Sequence, residues 1–255
     1  MSWDVSQTCD GLPWESGRQM STPELHLNTA LILNGEGRIV STREPGAQRG
    51  PLFSLVRSAT HCAWAVRADI PKDLARELDR LADEEPPALD LRDAPLHADR
   101  YVSLLRGRIR PDYDAVTKSS QSDGPLFTFP DAVVQPGDVV VVEDEQLLAH
   151  HFRGWVPGEI AAGRAPVLAV VAESYPVSVC FCARRSDVAA EAGLETAAQF
   201  RGRGFGPRVT AAWALVIRSS GRIPLYSTWW TNTASIAVAR KLGLILYASA
   251  WDLSD

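Results

Sequence analysis

Residues 189–208 read Ala189-Ala190-Glu191-Ala192-Gly193-Leu194-Glu195-Thr196-Ala197-Ala198-Gln199-Phe200-Arg201-Gly202-Arg203-Gly204-Phe205-Gly206-Pro207-Arg208. Ala189 to Thr196 reads as a strand. Pro207 to Ser219 reads as a helix, with Val209, Trp213, Val216 and Ser220 in line. Between them stand three glycines in six residues. Glycine lets the backbone turn tightly and present its N–H groups. The following helix aims its own unpaired N–H groups and its positive dipole end at the same space. Strand, glycine turn and helix in that order make a seat for a phosphate or diphosphate. The turn lacks the Gly-Lys-Ser/Thr of a Walker loop and the spacing of a dinucleotide fingerprint.

Working outward, Val139–Val142 reads as a short strand, and Glu143–Phe152 and Gly154–Ala162 as short helices. Ala165–Ala172 and Val177–Ala183 read as strands joined by a turn at Ser174-Tyr175-Pro176. Beyond the first helix, Ile223–Thr228 is a strand, Asn232–Leu242 a helix closed by Gly243, and Leu244–Ala248 a last strand. The C-terminal half is therefore β-α-α-β-β-β-α-β-α-β.

The N-terminal half is less patterned. Residues 1–28 are polar and aperiodic and read as a loose leader. Residues 29–135 form an α/β region of unassigned role. Its strand-like patches are Ala30–Leu33, Arg38–Ser41 and Cys62–Val66. A helix near Pro71–Leu81 carries Leu74, Leu78 and Leu81 at helical spacing, and a second runs near His97–Arg106. Residues 107–136, rich in Pro, Asp, Ser and Gly, read as a linker, with a domain boundary near Gln135-Pro136.

The chain has 255 residues, is 45% apolar and carries a net charge of −5. That composition supports a buried core and argues against a nucleic-acid partner. Nothing in it is long and apolar enough for a membrane span, and no signal peptide is visible, so a cytoplasmic location is expected. Of the four cysteines, Cys180 and Cys182 share one strand face and read as reduced, small apolar residues; no metal site is expected.

The segment Arg201-Gly202-Arg203-Gly204-Phe205-Gly206 fits a signature of Arg or Gln, two residues, Gly, one residue, then Gly or Ala. Downstream, Asn232 opens a helix that ends in Lys241-Leu242-Gly243. Two such motifs in the right elements, over residues 138–253, resemble the GNAT superfamily of N-acetyltransferases. The resemblance implies a mixed, mostly antiparallel sheet flanked by helices, and acetyl-CoA as cofactor. It implies that Glu195, Thr196 and Ala197 offer backbone to the pantetheine arm. Arg201, Gly202, Arg203, Gly204, Phe205 and Gly206 would hold the diphosphate, with Asn232 reaching the cofactor from the far side. A helix dipole supplies about 0.3–2 kcal/mol to an anion, whereas micromolar affinity needs about 8 kcal/mol, so the strand contacts are required as well. Pro207 removes one donor from the seat, and Ala239 stands where many relatives carry an acidic tyrosine.

Acetyl transfer needs a neutral amine. Holding a lysine-like amine, with a pKa of ~10.4, deprotonated at neutral pH costs about 4–5 kcal/mol, so a base is expected. Glu195 is the first choice and Glu191 the second, both on one strand face with Gly193. Tyr226 is the favoured acid ahead of Ser227 and Tyr247. Trp229-Trp230 falls where the acceptor must enter. The expected activity is transfer of acetyl to a primary amine of a small molecule or peptide in a ternary complex. The alternative is a non-catalytic CoA-binding module on the same fold. The acceptor is not legible, and a homodimer is left open.

Overall fold

The computed structural model describes residues 22–46, 48–108, 121–134 and 136–255. The chain opens with α1 (Thr22–Ala30), β1 (Leu31–Leu33), β2 (Ile39–Thr42), β3 (Phe53–Ser58) and β4 (Cys62–Val66). Helices α2 (Lys72–Asp83) and α3 (Ala98–Leu105) follow, then β5 (Gln121–Thr128) and β6 (Val139–Val141). Two short turns, a 3-10 turn at Glu145–His150 and an irregular one at Ile160–Arg164, precede β7 (Leu168–Ala172), β8 (Tyr175–Arg185) and β9 (Ala189–Thr196). The chain closes with α4 (Phe205–Ser219), β10 (Ile223–Ser227), α5 (Thr233–Lys241) and β11 (Ile245–Leu253).

Nine strands form one sheet in the order β4-β3-β11-β5-β10-β9-β8-β7-β6. Among the described residues only the β9–β10 pair of this sheet is parallel, so the sheet is mixed and mostly antiparallel, as expected. β1 and β2 pair separately.

Period-two alternation sorts the core onto two faces. On one face Val209, Trp213 and Ile217 of α4 pack on Cys180, Cys182, Ala190, Ala192 and Phe127, while α2 and α3 pack on Phe53, Leu55, Trp251 and Leu253. Burying each such Val, Ile or Phe contributes about 1.5–3 kcal/mol. On the other face α1 packs Leu27 and Ala30 against Val56, Ala65, Leu126 and Ala248, and Leu25 against Ala189 and Leu225. Cys180 and Cys182 are buried free thiols on the α4 face, as expected; Cys9 lies outside the described residues.

Three expectations need correction. The leader expected over residues 1–28 includes a helix from Thr22; residues 1–21 lie outside the described residues. Pro23, Leu25, His26, Leu27, Thr29 and Ala30 are all buried, so the helix is covered nearly all round and shows no amphipathic stripe. The linker expected over 107–136 contains β5, held between β11 and β10. Its Asp123-Gly124-Pro125 looks like a turn, but two flanking strands override that local preference. Gly124 is required by space: a Cβ there would lie 1.8 Å from the Thr228 carbonyl oxygen. β3 was not anticipated at all. One sheet thus joins residues on both sides of position 135, and no boundary there is visible in the strand pairing.

Candidate functional site

β9 and β10 run side by side only from Ile223/Ala189 to Leu225/Glu191. Beyond that point β10 turns its partnership to β5 through Tyr226 and Ser227, and β9 stays with β8 through Thr196. The two parallel strands part, leaving one edge of β9 open. The Ala197 amide donates to the Val177 carbonyl at 2.9 Å. Ladder alternation then turns the backbone groups of Gly193, Glu195 and Ala197 toward β8, and those of Ala192, Leu194 and Thr196 toward the opening. Of the three residues expected to offer backbone, Thr196 alone faces the gap, and the Arg201 Nε donates to its carbonyl at 3.1 Å.

The glycine turn lies at the end of that open edge. Gly202 and Gly204 take φ values of +75° and +79°. A Cβ at either would meet no atom within 4 Å, so conformation rather than crowding requires glycine there. Gly204 is the N-cap of α4. None of the amides of Gly202, Arg203 and Gly204 donates to another backbone group among the described residues outside helices and strands. Those of Phe205 and Gly206 stand in the first helical turn, where no intrahelical partner exists. Arg203 is exposed, donates to the Gln199 carbonyl at 3.2 Å and lies 5.0 Å over the Phe200 ring. The turn is a set of outward amides in a basic surround, which fits a diphosphate.

A cavity of about 280 Å³ opens where the strands part. Its walls include the adjacent pairs Glu191–Ala192 and Tyr226–Ser227. Neighbours along a strand point to opposite faces, so the cavity passes through the sheet. On the α4–α5 side it meets Leu194, Tyr226, Asn232 and Ser235. Asn232 caps α5, its Oδ1 accepting from the Ser235 amide at 3.1 Å. The Tyr226 hydroxyl lies 2.5 Å from the Ser235 Oγ. Burial pushes the Tyr226 phenol up to about 12, with the Ser235 bond pulling the other way, so it carries its proton at neutral pH.

The α1 side is charged. Glu191 is 2% exposed. Ser227 donates to its Oε1 at 2.8 Å, and the Arg184 Nη2 stands 3.8 Å away. The His26 Nδ1 is 3.7 Å from Oε2, which has no hydrogen-bond partner among the described residues. Burial pushes the Glu191 carboxyl up, but Arg184, His26 and Ser227 together outweigh it and hold it below the ordinary range. At His26 burial wins over the attraction of Glu191 and drives the ring down to about 4. The imidazole is therefore neutral at neutral pH, and Arg184 is the standing cation beside Glu191. Arg184 also donates from Nε to Glu44 at 3.0 Å. Asp252, on β11, completes this wall.

Glu191, Tyr226 and Asn232 are thus brought together from the expected set. Glu195 is exposed and does not line the cavity. Trp229 stands at the mouth, 61% exposed, and the Arg92 guanidinium from the N-terminal half lies 4.3 Å over the Trp230 ring. His26, Arg184 and Asp252 were missed. The signal for Asp252 was present: Ala248, Ala250 and Asp252 alternate on one strand face as small, small, charged. His26 gave none, because the helix that carries it has no stripe.

Residues 177–251 match the family model described as FR47-like protein, a GNAT-related family. No curated protein matches the sequence. Among solved structures, a GNAT-family protein from Novosphingobium aromaticivorans is 16% identical, with 53% of this chain covered and a TM-score of 0.45. The chain spans 65% of that protein's length. A GNAT-family acetyltransferase from Colwellia psychrerythraea is 12% identical, over 87% of this chain and 80% of its own, with a TM-score of 0.45. A tandem GNAT protein from the clavulanic acid biosynthesis pathway is 14% identical, over 76% and 74%, with a TM-score of 0.42. Likeness at these levels says nothing of substrate.

Proposed function

We propose that the protein, whose residues 177–251 match the family model described as FR47-like protein, transfers acetyl from acetyl-CoA to an amine by direct attack. The observation that carries this reading is the parting of β9 from β10, with an amide-rich glycine turn at its end and a cavity through the sheet beside it. The amides of Gly202 to Gly206 would hold the diphosphate, and the open edge at Leu194 and Thr196 would hold the pantetheine arm. When bound, acetyl-CoA supplies an activated acetyl thioester.

The chain's own groups divide by face. On the α4–α5 side, Tyr226 keeps its proton and can deliver it to a leaving thiolate. Asn232 and Ser235 fix the position of that hydroxyl and of the α5 N-terminus. On the α1 side, Glu191 stays ionised in a closed surround and attracts an ammonium group. Arg184 is already engaged by Glu44 and Glu191, so among the described residues the wall offers no spare cation for an acidic acceptor.

Calorimetry with CoA and thiol release with a panel of primary amines test the reading. CoA binding with amine-dependent thiol release is the expected result. Absence of CoA binding would overturn it. CoA binding without release to any amine would favour a binding module, a reading to which Ala239 and Pro207 lend some support.

A further inference from the structure

The acceptor side of the cavity holds two carboxylates, Glu191 on β9 and Asp252 on β11. Each has a buried oxygen without a hydrogen-bond partner among the described residues, Oε2 of Glu191 and Oδ1 of Asp252. An orphaned buried acceptor is costly unless a ligand satisfies it. Two of them, on residues that line one wall of the cavity, call for a donor with several N–H bonds, which an ammonium group has.

We propose that Asp252 is the catalytic residue that takes the proton from the acceptor's ammonium group, while Glu191 remains ionised and holds that group in place. This rests on the acetyltransferase reading above. In the step, one N–H bond of the ammonium breaks and an O–H bond forms on Asp252 Oδ1. The nitrogen keeps the electron pair and becomes the neutral amine, and Asp252 later returns the proton to water.

The groups facing Asp252 explain the division of labour. From β8 comes Arg184, from β9 Glu191, and from β3 Ser54, its partner in register. His26 of α1 lines the same cavity. Tyr247 of β11 itself is buried and held protonated, chiefly by burial with Glu191 adding to it. Burial pushes the Asp252 carboxyl up, Ser54 and Arg184 pull it down, Glu191 pushes it up again, and the balance lies at about 6. A base serves best when its pKa lies near the working pH. Glu191, held low, is a poor proton acceptor, and so is His26 at about 4. Glu195, the base expected first, lies outside the cavity.

The test uses the full chain. A ¹³C-aspartate NMR titration, with Asp252→Asn to assign the resonance, should show one carboxyl titrating near 6 that the variant lacks. With the primary amine that gives the fastest thiol release, Asp252→Asn should lower kcat/KM by about 10²-fold or more and erase the acidic limb of its pH profile. Asp252→Glu should restore part of the rate. CoA affinity should not change, because the seat lies on the other face, and that measurement also reports that the variant folds. A titration in the ordinary carboxylate range, or an acidic limb that survives in Asp252→Asn, overturns the inference. No CoA binding by the wild type overturns the reading it rests on, and the inference with it. CoA binding with an unaltered Asp252→Asn profile overturns the inference alone.

Discussion

The glycine turn and the charged wall of the cavity are neighbours built on opposite plans. The turn comes from one stretch of chain, residues 201–206, and offers backbone at an exposed site. The wall draws His26, Arg184, Glu191 and Asp252 from four separated elements and offers side chains in a buried one. A backbone seat costs little to fold, because its amides are satisfied by water until a ligand comes. A buried charge network is part of the folded state's own balance. Substitutions in the wall should therefore move stability first, and those in the turn should move ligand affinity first.

The largest effect should come from Arg184→Leu. It leaves Glu191 buried without its standing cation, and breaking one side of a buried pair costs about 3–5 kcal/mol. Urea unfolding measures this; a loss below about 1 kcal/mol would erase the contrast between the two regions.

Next comes pH. The folded pKa of His26 is about 4 against an ordinary 6.5, so between those values the unfolded chain binds a proton that the folded one refuses. Stability from this group is full above about 6.5 and falls, by about 3 kcal/mol, as pH drops through 4. Asp252, raised from 3.8 to about 6, acts with the opposite sign: its contribution is full below 3.8 and is lost as pH rises through 6. The two oppose each other between 4 and 6. His26→Gln should therefore gain thermal stability on acidification from 6 to 4, relative to the wild type. A Tm difference that stays flat over that range counts against the wall as drawn.

On the turn, Gly204→Val has open space but the wrong backbone, at φ +79°. A side chain in that region costs about 1–3 kcal/mol. CoA affinity should fall by about tenfold or more at that cost, with the cavity's pH behaviour unchanged. An unaltered Kd in calorimetry would remove the turn from the binding site. The smallest effect belongs to Glu195→Gln. An exposed carboxylate off the cavity should change stability by less than about 0.5 kcal/mol and leave the rate within about twofold. A tenfold loss of rate would return the base role to Glu195.

The same contrast explains what the sequence disclosed. The turn was legible because three closely spaced glycines before an amphipathic helix have few structural uses. The sheet of the C-terminal half was legible for a similar reason, since its strands and helices alternate with clear punctuation. The wall was not. Glu191 could be placed on a strand face by alternation, but nothing along the chain says that β11 comes within reach of β8 and β9. That proximity depends on β5, whose Asp-Gly-Pro looks like a turn until two strands close on it. His26 was hidden by burial on all sides of its helix.

The position of β5 reaches beyond the site. In the sheet, strands from before and after residue 135 alternate as β3, β11, β5, β10, like the fingers of two clasped hands. A ribosome that has released only the first half leaves β5 without either neighbour, and a transplanted second half would carry β10 and β11 with a missing slat between them. The half that carries the glycine turn is therefore not a portable cassette, because the piece that closes its sheet is synthesised before it.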